Sequence, residues 1–394
     1  MSRVERYDVT YVNCVEPLPI PGGRRFYELH RRMAKQYKIL YLQPYYSKKE
    51  RQYVRQMLNS CNISVRFLRI PFNYSNSKFE FYLFRTYVIP RVLKELKKLS
   101  KFSVIIHEEA SPLPLFSKIF LGNENPTLLT LHEIRHVFSF KVHGILGTLE
   151  FVAEKLVSKL NCYDSIIAVS SSTQKLAFKL LKIKTLLVPN GVDTNKFKPL
   201  KEISKDSNTI RIVTVGRLVR HKGFNLLPYI KKALSKITDQ IGNLKIVVTI
   251  IGHGPLQKEI GGFCKKNSNS RIKFNLLSRV PERKYVKILQ HSDIYLHLNQ
   301  YMEGFGFSVA EAMSCGLPVI AFKIPGVKDL VKDGENGFLV PIGDFKALEK
   351  CLEFLILNEN IRRKMGKNAR KRIEKYFSIE KAVNLLERVY KQYL

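Results

Sequence analysis

Ile210-Arg211-Ile212-Val213-Thr214-Val215-Gly216-Arg217-Leu218-Val219-Arg220-His221-Lys222-Gly223 is a β-branched run that breaks on a glycine, passes through a basic turn and stops on a second glycine. The run predicts a buried strand over 210–216, and the spacing of apolar residues beyond it predicts a helix over 223–237. The same succession recurs in both directions. Downstream, strands are expected at 245–251, 271–276, 293–298 and 317–322, and helices at 255–266, 281–290, 307–315, 344–357, 360–375 and 378–393. Upstream, strands are expected at 8–14, 38–43, 63–69, 103–107, 127–131, 165–169 and 185–189. The upstream helices are expected at 24–36, 48–59, 79–99, 145–160 and 171–181. Strands alternating with helices imply an α/β fold built on parallel sheets with crossover helices. A polar stretch from Pro199 to Asn208 reads as a linker. It suggests an N-terminal Rossmann-like domain over 1–194, a second over 195–376 and a closing helix over 377–394. Ligands of such sheets lie beyond the carboxyl ends of the strands, so the expected site is a cleft that the two sheets face.

Composition narrows the class. The chain has 394 residues and a net charge of +34, with 45% hydrophobic residues. Residues 1–200 hold 32 Lys/Arg against 15 Asp/Glu, and the remainder 35 against 18, so the excess belongs to no tail. Such a field attracts phosphate-bearing partners, whether nucleotides, nucleic acid or anionic lipid. The cysteines Cys14, Cys61, Cys162, Cys264, Cys315 and Cys351 are scattered, which fits a reducing compartment better than a zinc site or disulfide framework. The charged start shows no signal peptide, and no apolar run reaches the ~18 residues of a membrane span. A cytoplasmic location, free or at the inner face of the cell membrane, is the expectation.

Four motifs carry chemistry. Glu303-Gly304-Phe305-Gly306-Phe307-Ser308-Val309-Ala310-Glu311 sets two carboxylates across a glycine loop that feeds a helix. Glycines admit close backbone approach, and a helix start favours anions. Glu303 could reach sugar hydroxyls and Glu311 a ribose diol, although Ser308 to Glu311 also fits a capping box that would make Glu311 structural. In the basic turn, Arg217 and Lys222 suit a diphosphate, the first as a fork and the second as a point charge; the same turn also fits a solvated basic surface. Pro21-Gly22-Gly23 is a glycine turn opening a helix, suited to a phosphate or to plain connection chemistry. Leu131-His132-Glu133 ends a strand, which would point His132 toward the cleft, although a lone histidine is commonly structural. His136 and His143 follow without metal-ligand spacing.

On these residues the sequence resembles glycosyltransferase family 4, the group 1 glycosyltransferases. Val188-Pro189-Asn190-Gly191-Val192-Asp193, Ile251-Gly252-His253-Gly254-Pro255 and Gly326 through Val340 are similar to further family segments. The resemblance implies a GT-B fold, retention of anomeric configuration and a nucleoside-diphosphate sugar held mainly by the second domain. It implies that Arg217 and Lys222 hold the diphosphate and Glu311 the ribose. Glu303 and Gly304 with the backbone of Phe305, Gly306 and Phe307 would hold sugar and phosphates. Gly22 and Gly23 would approach the diphosphate from the first domain, with His132 beside the transferring sugar. The closing helix would pack back on the first domain. Three departures touch the base and sugar pockets. Asn299 and Gln300 stand where Pro-Ser is usual, His253 replaces an acidic residue, and Lys328-Asp329 replaces Pro-Glu.

No Asp-x-Asp stands in a context that would clamp Mg²⁺, so no metal and no cofactor are expected; cationic side chains would offset the leaving diphosphate. The acceptor is expected to be a glycan or a lipid-linked one. Basic helices at 48–58 and 79–99 suggest docking on an anionic membrane, unless the apolar side of 79–99 simply packs on the sheet. Two other readings are a GT-B-fold nucleotide-sugar epimerase and a basic nucleic-acid-binding Rossmann protein, although no nucleic-acid-binding motif is present.

Overall fold

A computed structural model describes residues 6–12, 21–45, 47–69, 78–110, 117–132, 134, 155, 162–200 and 208–394, with 21–25, 78–88 and 109–110 described by backbone alone. The chain divides into two compact units, Met1–Gly191 with Ile379–Leu394, and Val192–Ser378.

Unit 1 holds a sheet of seven strands in the order β3-β2-β1-β4-β5-β6-β7. The strands are β1 (Tyr7–Val12), β2 (Ile39–Tyr45), β3 (Ser64–Arg69), β4 (Ser103–Ala110), β5 (Thr127–Leu131), β6 (Ser165–Ala168) and β7 (Leu186–Leu187), all paired in parallel. Its helices are α1 (Pro21–Met33), α2 (Lys48–Asn59), α3 (Lys78–Leu99), α4 (Ser117–Leu121) and α5 (Ser171–Leu176). β5 is buried at every position, as a central parallel strand covered on both faces must be. Most of the expected helix over 145–160 and of the expected linker fall outside the described residues, as do Cys14, Glu133, His136 and His143.

Unit 2 repeats the plan with six parallel strands in the order β10-β9-β8-β11-β12-β13. They are β8 (Thr209–Val215), β9 (Lys245–Ile251), β10 (Ile272–Leu277), β11 (Ile294–His297), β12 (Val319–Phe322) and β13 (Gly337–Val340). The helices are α6 (Leu227–Gln240), α7 (Gln257–Asn267), α8 (Glu282–His291), α9 (Phe307–Ser314), α10 (Val327–Leu330), α11 (Phe345–Leu357) and α12 (Glu359–Tyr376). α13 (Ile379–Tyr390) follows, and it belongs to unit 1. The chain enters unit 2 at Val192 and leaves at Ser378 through a parallel bridge between these residues.

α13 joins unit 1 through an amphipathic face: Ile379, Ala382, Val383, Leu386, Val389 and Tyr390 are buried in one core with Phe26, Leu29 and Met33 of α1. Polar groups fix its end. The Tyr390 hydroxyl lies 3.1 Å from His30 Nε2 and 2.6 Å from His107 Nδ1. His30 Nδ1 reaches the Tyr41 hydroxyl at 2.8 Å, and His107 Nε2 reaches Thr130 Oγ1 at 2.8 Å. All five side chains are fully buried, where hydrogen bonds offset the cost of desolvation. Among the described residues no helix is long and apolar enough to cross a membrane.

Candidate functional site

In unit 2 the strand order turns at β8. β9 and β10 lie on one side of it and β11 to β13 on the other. Connections leave opposite faces of the sheet at such a point and open a crevice at the carboxyl ends of the two middle strands. Those ends are Val215 of β8 and His297 of β11, and each runs into a loop read above as chemical.

The two loops are locked together by glycine. Gly223 closes the basic turn at φ +80, and a Cβ there would stand 1.9 Å from the Leu298 carbonyl oxygen. Only glycine lets the turn lie on the backbone just past β11. A Cβ on Gly252 would likewise stand 1.9 Å from Gly216 O, so the Gly252–Pro255 loop packs on the start of the same turn. Leu218 N donates to His253 O at 3.0 Å across this contact, and the His253 side chain is exposed.

Glu303 is the centre of the arrangement. Lys222 Nζ donates to its Oε1, and Asn299 Nδ2 donates to the same oxygen at 2.9 Å. His297 Nε2 stands 3.5 Å from Oε2. Burial alone would raise the pKa of this carboxyl; the electrostatic influence of His297 and Lys222 and the hydrogen bond from Lys222 outweigh burial and hold it well below the usual carboxylate range. The loop backbone is equally constrained. Glu303 N donates to Pro325 O at 3.3 Å, and Gly326, at φ +82, lies so close that a Cβ would be 2.1 Å from Glu303 O. A Cβ on Gly306 would be 3.3 Å from Glu303 Oε2, so glycine keeps space open beside that oxygen.

Phe305 sends its ring into the core, 5.2 Å from Phe307 and 5.8 Å from Phe377, leaving backbone toward the loop. α9 starts after Gly306, at φ +93, with no side-chain cap. The capping box considered for Ser308 and Glu311 therefore does not form, because Ser308 already lies inside the helix. Glu311 instead accepts a 2.7 Å hydrogen bond on Oε2 from the Tyr285 hydroxyl of α8. Burial, and then the Glu311 charge, hold the Tyr285 phenol far above its ordinary pKa, so it remains a donor. Tyr295 of β11 lies within electrostatic reach of both Glu303 and Glu311. Arg217 is exposed on the basic turn, and its side chain has no hydrogen-bond or ion-pair partner among the described residues.

Unit 1 has its own turning point, between β1 and β4. α1 begins at Pro21, so Gly22 and Gly23 occupy its first turn; they are not a turn preceding a helix that starts at 24. Pro at a first helical position loses no hydrogen bond, which explains the earlier start. His132 directly follows β5, and its ring meets the edge of Phe26 from α1 at 6.0 Å. The structure thus brings Lys222 and Glu303 into contact beside Gly304 and Gly306. It sets Arg217 on the Lys222 turn and Glu311 on the helix that the Glu303 loop feeds. In unit 1, Gly22 and Gly23 lie in the first turn of α1, and His132 follows β5.

Three participants escaped the sequence reading. Asn299 counts there as a departure, yet it holds Glu303. His297 is the last residue of its strand, and the strand-end rule applied to His132 would have singled it out. Tyr285 left no signal, since nothing in its local spacing connects it to Glu311.

Comparison with known proteins identifies the family of the chain. The model described as "Glycosyl transferases group 1" matches residues 195–372, and that for "Glycosyltransferase Family 4" matches residues 22–196. Glycosyltransferase MJ1178 of Methanocaldococcus jannaschii is 31% identical over 58% of this chain and 60% of its own length, so the similarity spans under two thirds of that relative. The capsular polysaccharide biosynthesis glycosyltransferase CapM of Staphylococcus aureus is 28% identical over 77% of this chain and 82% of its own. A UDP-Gal:alpha-D-GlcNAc-diphosphoundecaprenol alpha-1,3-galactosyltransferase of Escherichia coli is 27% identical over 76% and 77%. Among solved structures, Anabaena HepE in complex with UDP and glucose superposes with a TM-score of 0.72, covering 98% of this chain and 100% of that one at 18% identity. At that identity the likeness speaks for the fold.

Proposed function

The chain belongs to the group 1 glycosyltransferases of family 4, with a GT-B fold, and from that premise we propose that it is a retaining enzyme moving a sugar from a nucleoside diphosphate to an acceptor hydroxyl. The observation that carries the proposal is the Glu303 carboxylate, pinned by Lys222 and Asn299 at the turning point of the unit 2 sheet. A buried carboxylate held ionised is an acceptor for sugar hydroxyls. Lys222 beside it and Arg217 on the same basic turn suit a diphosphate: Lys222 has three N–H donors and spends one on Glu303, and the Arg217 side chain has no partner among the described residues. Glu311, oriented by Tyr285, suits a ribose diol. Gly22, Gly23 and His132 are assigned to the diphosphate and the transferring sugar.

In the proposed reaction the acceptor oxygen attacks C1 on the face that the diphosphate leaves. The C1–O bond to the phosphate breaks as the new bond forms, and the acceptor proton passes to the departing phosphate oxygen. Negative charge grows on the leaving group, so Arg217 and Lys222 stabilise the transition state more than the ground state, without a metal. The names of the Escherichia coli and Staphylococcus aureus relatives suggest a lipid-linked or surface glycan acceptor. Attachment to the inner face of an anionic membrane would present one. Basic residues on α2 and α3 support that attachment.

Thermal-shift screening with UDP, GDP and ADP and their sugars tests the proposal. A ligand bound only by the folded state stabilises it by about 2.7 kcal/mol at a hundred times its Kd. One nucleotide series should raise Tm; no shift with any member rejects the donor reading. Product analysis with donor alone separates transfer from epimerisation.

A further inference from the structure

We propose that His297 is a positioning residue that makes the grip of Glu303 on the donor sugar depend on protonation, so that the chain holds a nucleotide-sugar less firmly in acid. The inference deepens the donor reading above and rests on it.

The argument begins with the two oxygens of one carboxylate. Glu303 Oε1 already accepts from Lys222 Nζ and Asn299 Nδ2. Oε2 accepts from neither, and it faces the space that Gly306 leaves open. Oε2 is therefore the oxygen available to a sugar hydroxyl. His297 Nε2 stands 3.5 Å from it, with the His297 side chain 5% exposed. Among the described residues this nitrogen has no hydrogen-bond partner. A buried polar nitrogen that points at a carboxylate from just beyond bonding distance is poised to change its role with its proton.

The chemistry then has two states. A protonated imidazole carries N–H on both nitrogens, and a buried N–H requires an acceptor. The acceptor facing Nε2 is Glu303 Oε2, so a shift of a few tenths of an ångström closes a charged hydrogen bond and occupies that oxygen. A neutral imidazole releases Oε2 to the ligand. Because Lys222 and Asn299 stay on Oε1 in both states, the carboxylate keeps its place while its free oxygen is taken or released. Tyr295 stacks on the ring from the same strand at 6.3 Å, and Lys222 lies across the carboxylate. The β12 residue paired with His297 is Ala321, and the β8 residues paired with β11 are Ile212 and Val213.

A purely structural His297, filling the end of β11, makes a different prediction. Its loss would weaken free nucleotide and nucleotide-sugar alike and at every pH. The test is calorimetric titration of the full chain at about pH 5.5 and about pH 8. The probes are UDP, GDP and ADP, with UDP-glucose, GDP-mannose and ADP-glucose. The phosphates of the sugar conjugates do not titrate in this range. For wild type we expect the preferred conjugate to bind on the order of ten-fold more weakly at the lower pH, the effect of losing a hydrogen bond to a charged acceptor. His297→Leu and His297→Gln should bind it equally at both pH values. The wild-type to variant ratio for the matching free nucleotide should stay constant with pH. Equal acid weakening in wild type and in either folded variant overturns the proposal, as does a wild type with no acid weakening. Should none of the six probes bind wild type at either pH, the donor reading itself fails and the proposal falls with it, a result unlike the other two.

Discussion

At the residue scale the site depends on a few groups whose roles are set by immediate neighbours. Glu303 keeps its charge in a buried place because Lys222, Asn299 and His297 surround it, and its loop keeps its path because Gly326 is the residue that lets two backbones touch. Arg217 differs in kind. It is exposed and holds nothing in place, so replacing it should leave the fold intact. Arg217→Ala should lower turnover by roughly 10²–10³ if the guanidinium stabilises the leaving diphosphate, with an unchanged circular dichroism spectrum. Turnover close to wild type would remove Arg217 from the mechanism. Lys222 permits no such clean experiment, because its removal also strips Glu303 of a partner.

At the element scale the clearest case is α13, which completes the core of unit 1 from the far end of the sequence. Its apolar face packs on α1, and Tyr390 ties His30 to His107. Tyr390→Phe keeps the ring and deletes two buried hydrogen bonds, each worth about 0.5–1.5 kcal/mol. The expected outcome is a loss of roughly 1–3 kcal/mol in unit 1, read as faster amide exchange along α13 and α1, with nucleotide affinity unaltered. Unchanged protection would show that apolar packing alone seats the helix. α3 is a second instructive element. Val92, Leu93 and Leu96 are buried in one cluster with Val12, Leu42 and Ile106, so this part of its apolar side serves the core. Its exposed basic positions, such as Lys94 and Lys97, and those of α2, such as Lys48, Lys49 and Arg55, remain for a partner.

At the scale of the whole molecule the net charge of +34 dominates. Each Lys or Arg close to an anionic bilayer contributes about 1 kcal/mol, and salt screens the attraction. Sedimentation with vesicles rich in phosphatidylglycerol should therefore recover the protein at low salt and release it at about 0.5 M NaCl, where the Debye length is well under 10 Å. Absence of binding at low salt would end the membrane reading, and binding that survives high salt would point to apolar insertion instead. Elements with a strong period were legible in the sequence: the strand expected over 245–251 and the helix over 48–59 coincide with β9 and α2. Short ones were not. β13, four residues opening on Gly337, was read as part of a glycine loop, and α4 and α10 span too few residues to show a helical period.

Part of the site was legible for the same reason, since glycines and charges clustered within a few residues mark a turn wherever it folds. The sequence alone determined the alternation of strands and helices, hence parallel sheets, together with the basic turn and the glycine loop. Those properties are local, fixed by backbone sterics and by the repeat of apolar residues. That Lys222 meets Glu303 across 81 positions, that Asn299 and His297 share this carboxylate, and that Tyr285 orients Glu311 were decided by tertiary structure alone. Such contacts depend on which strands become neighbours and on how closely glycine lets their loops approach, and no stretch of neighbouring residues encodes either.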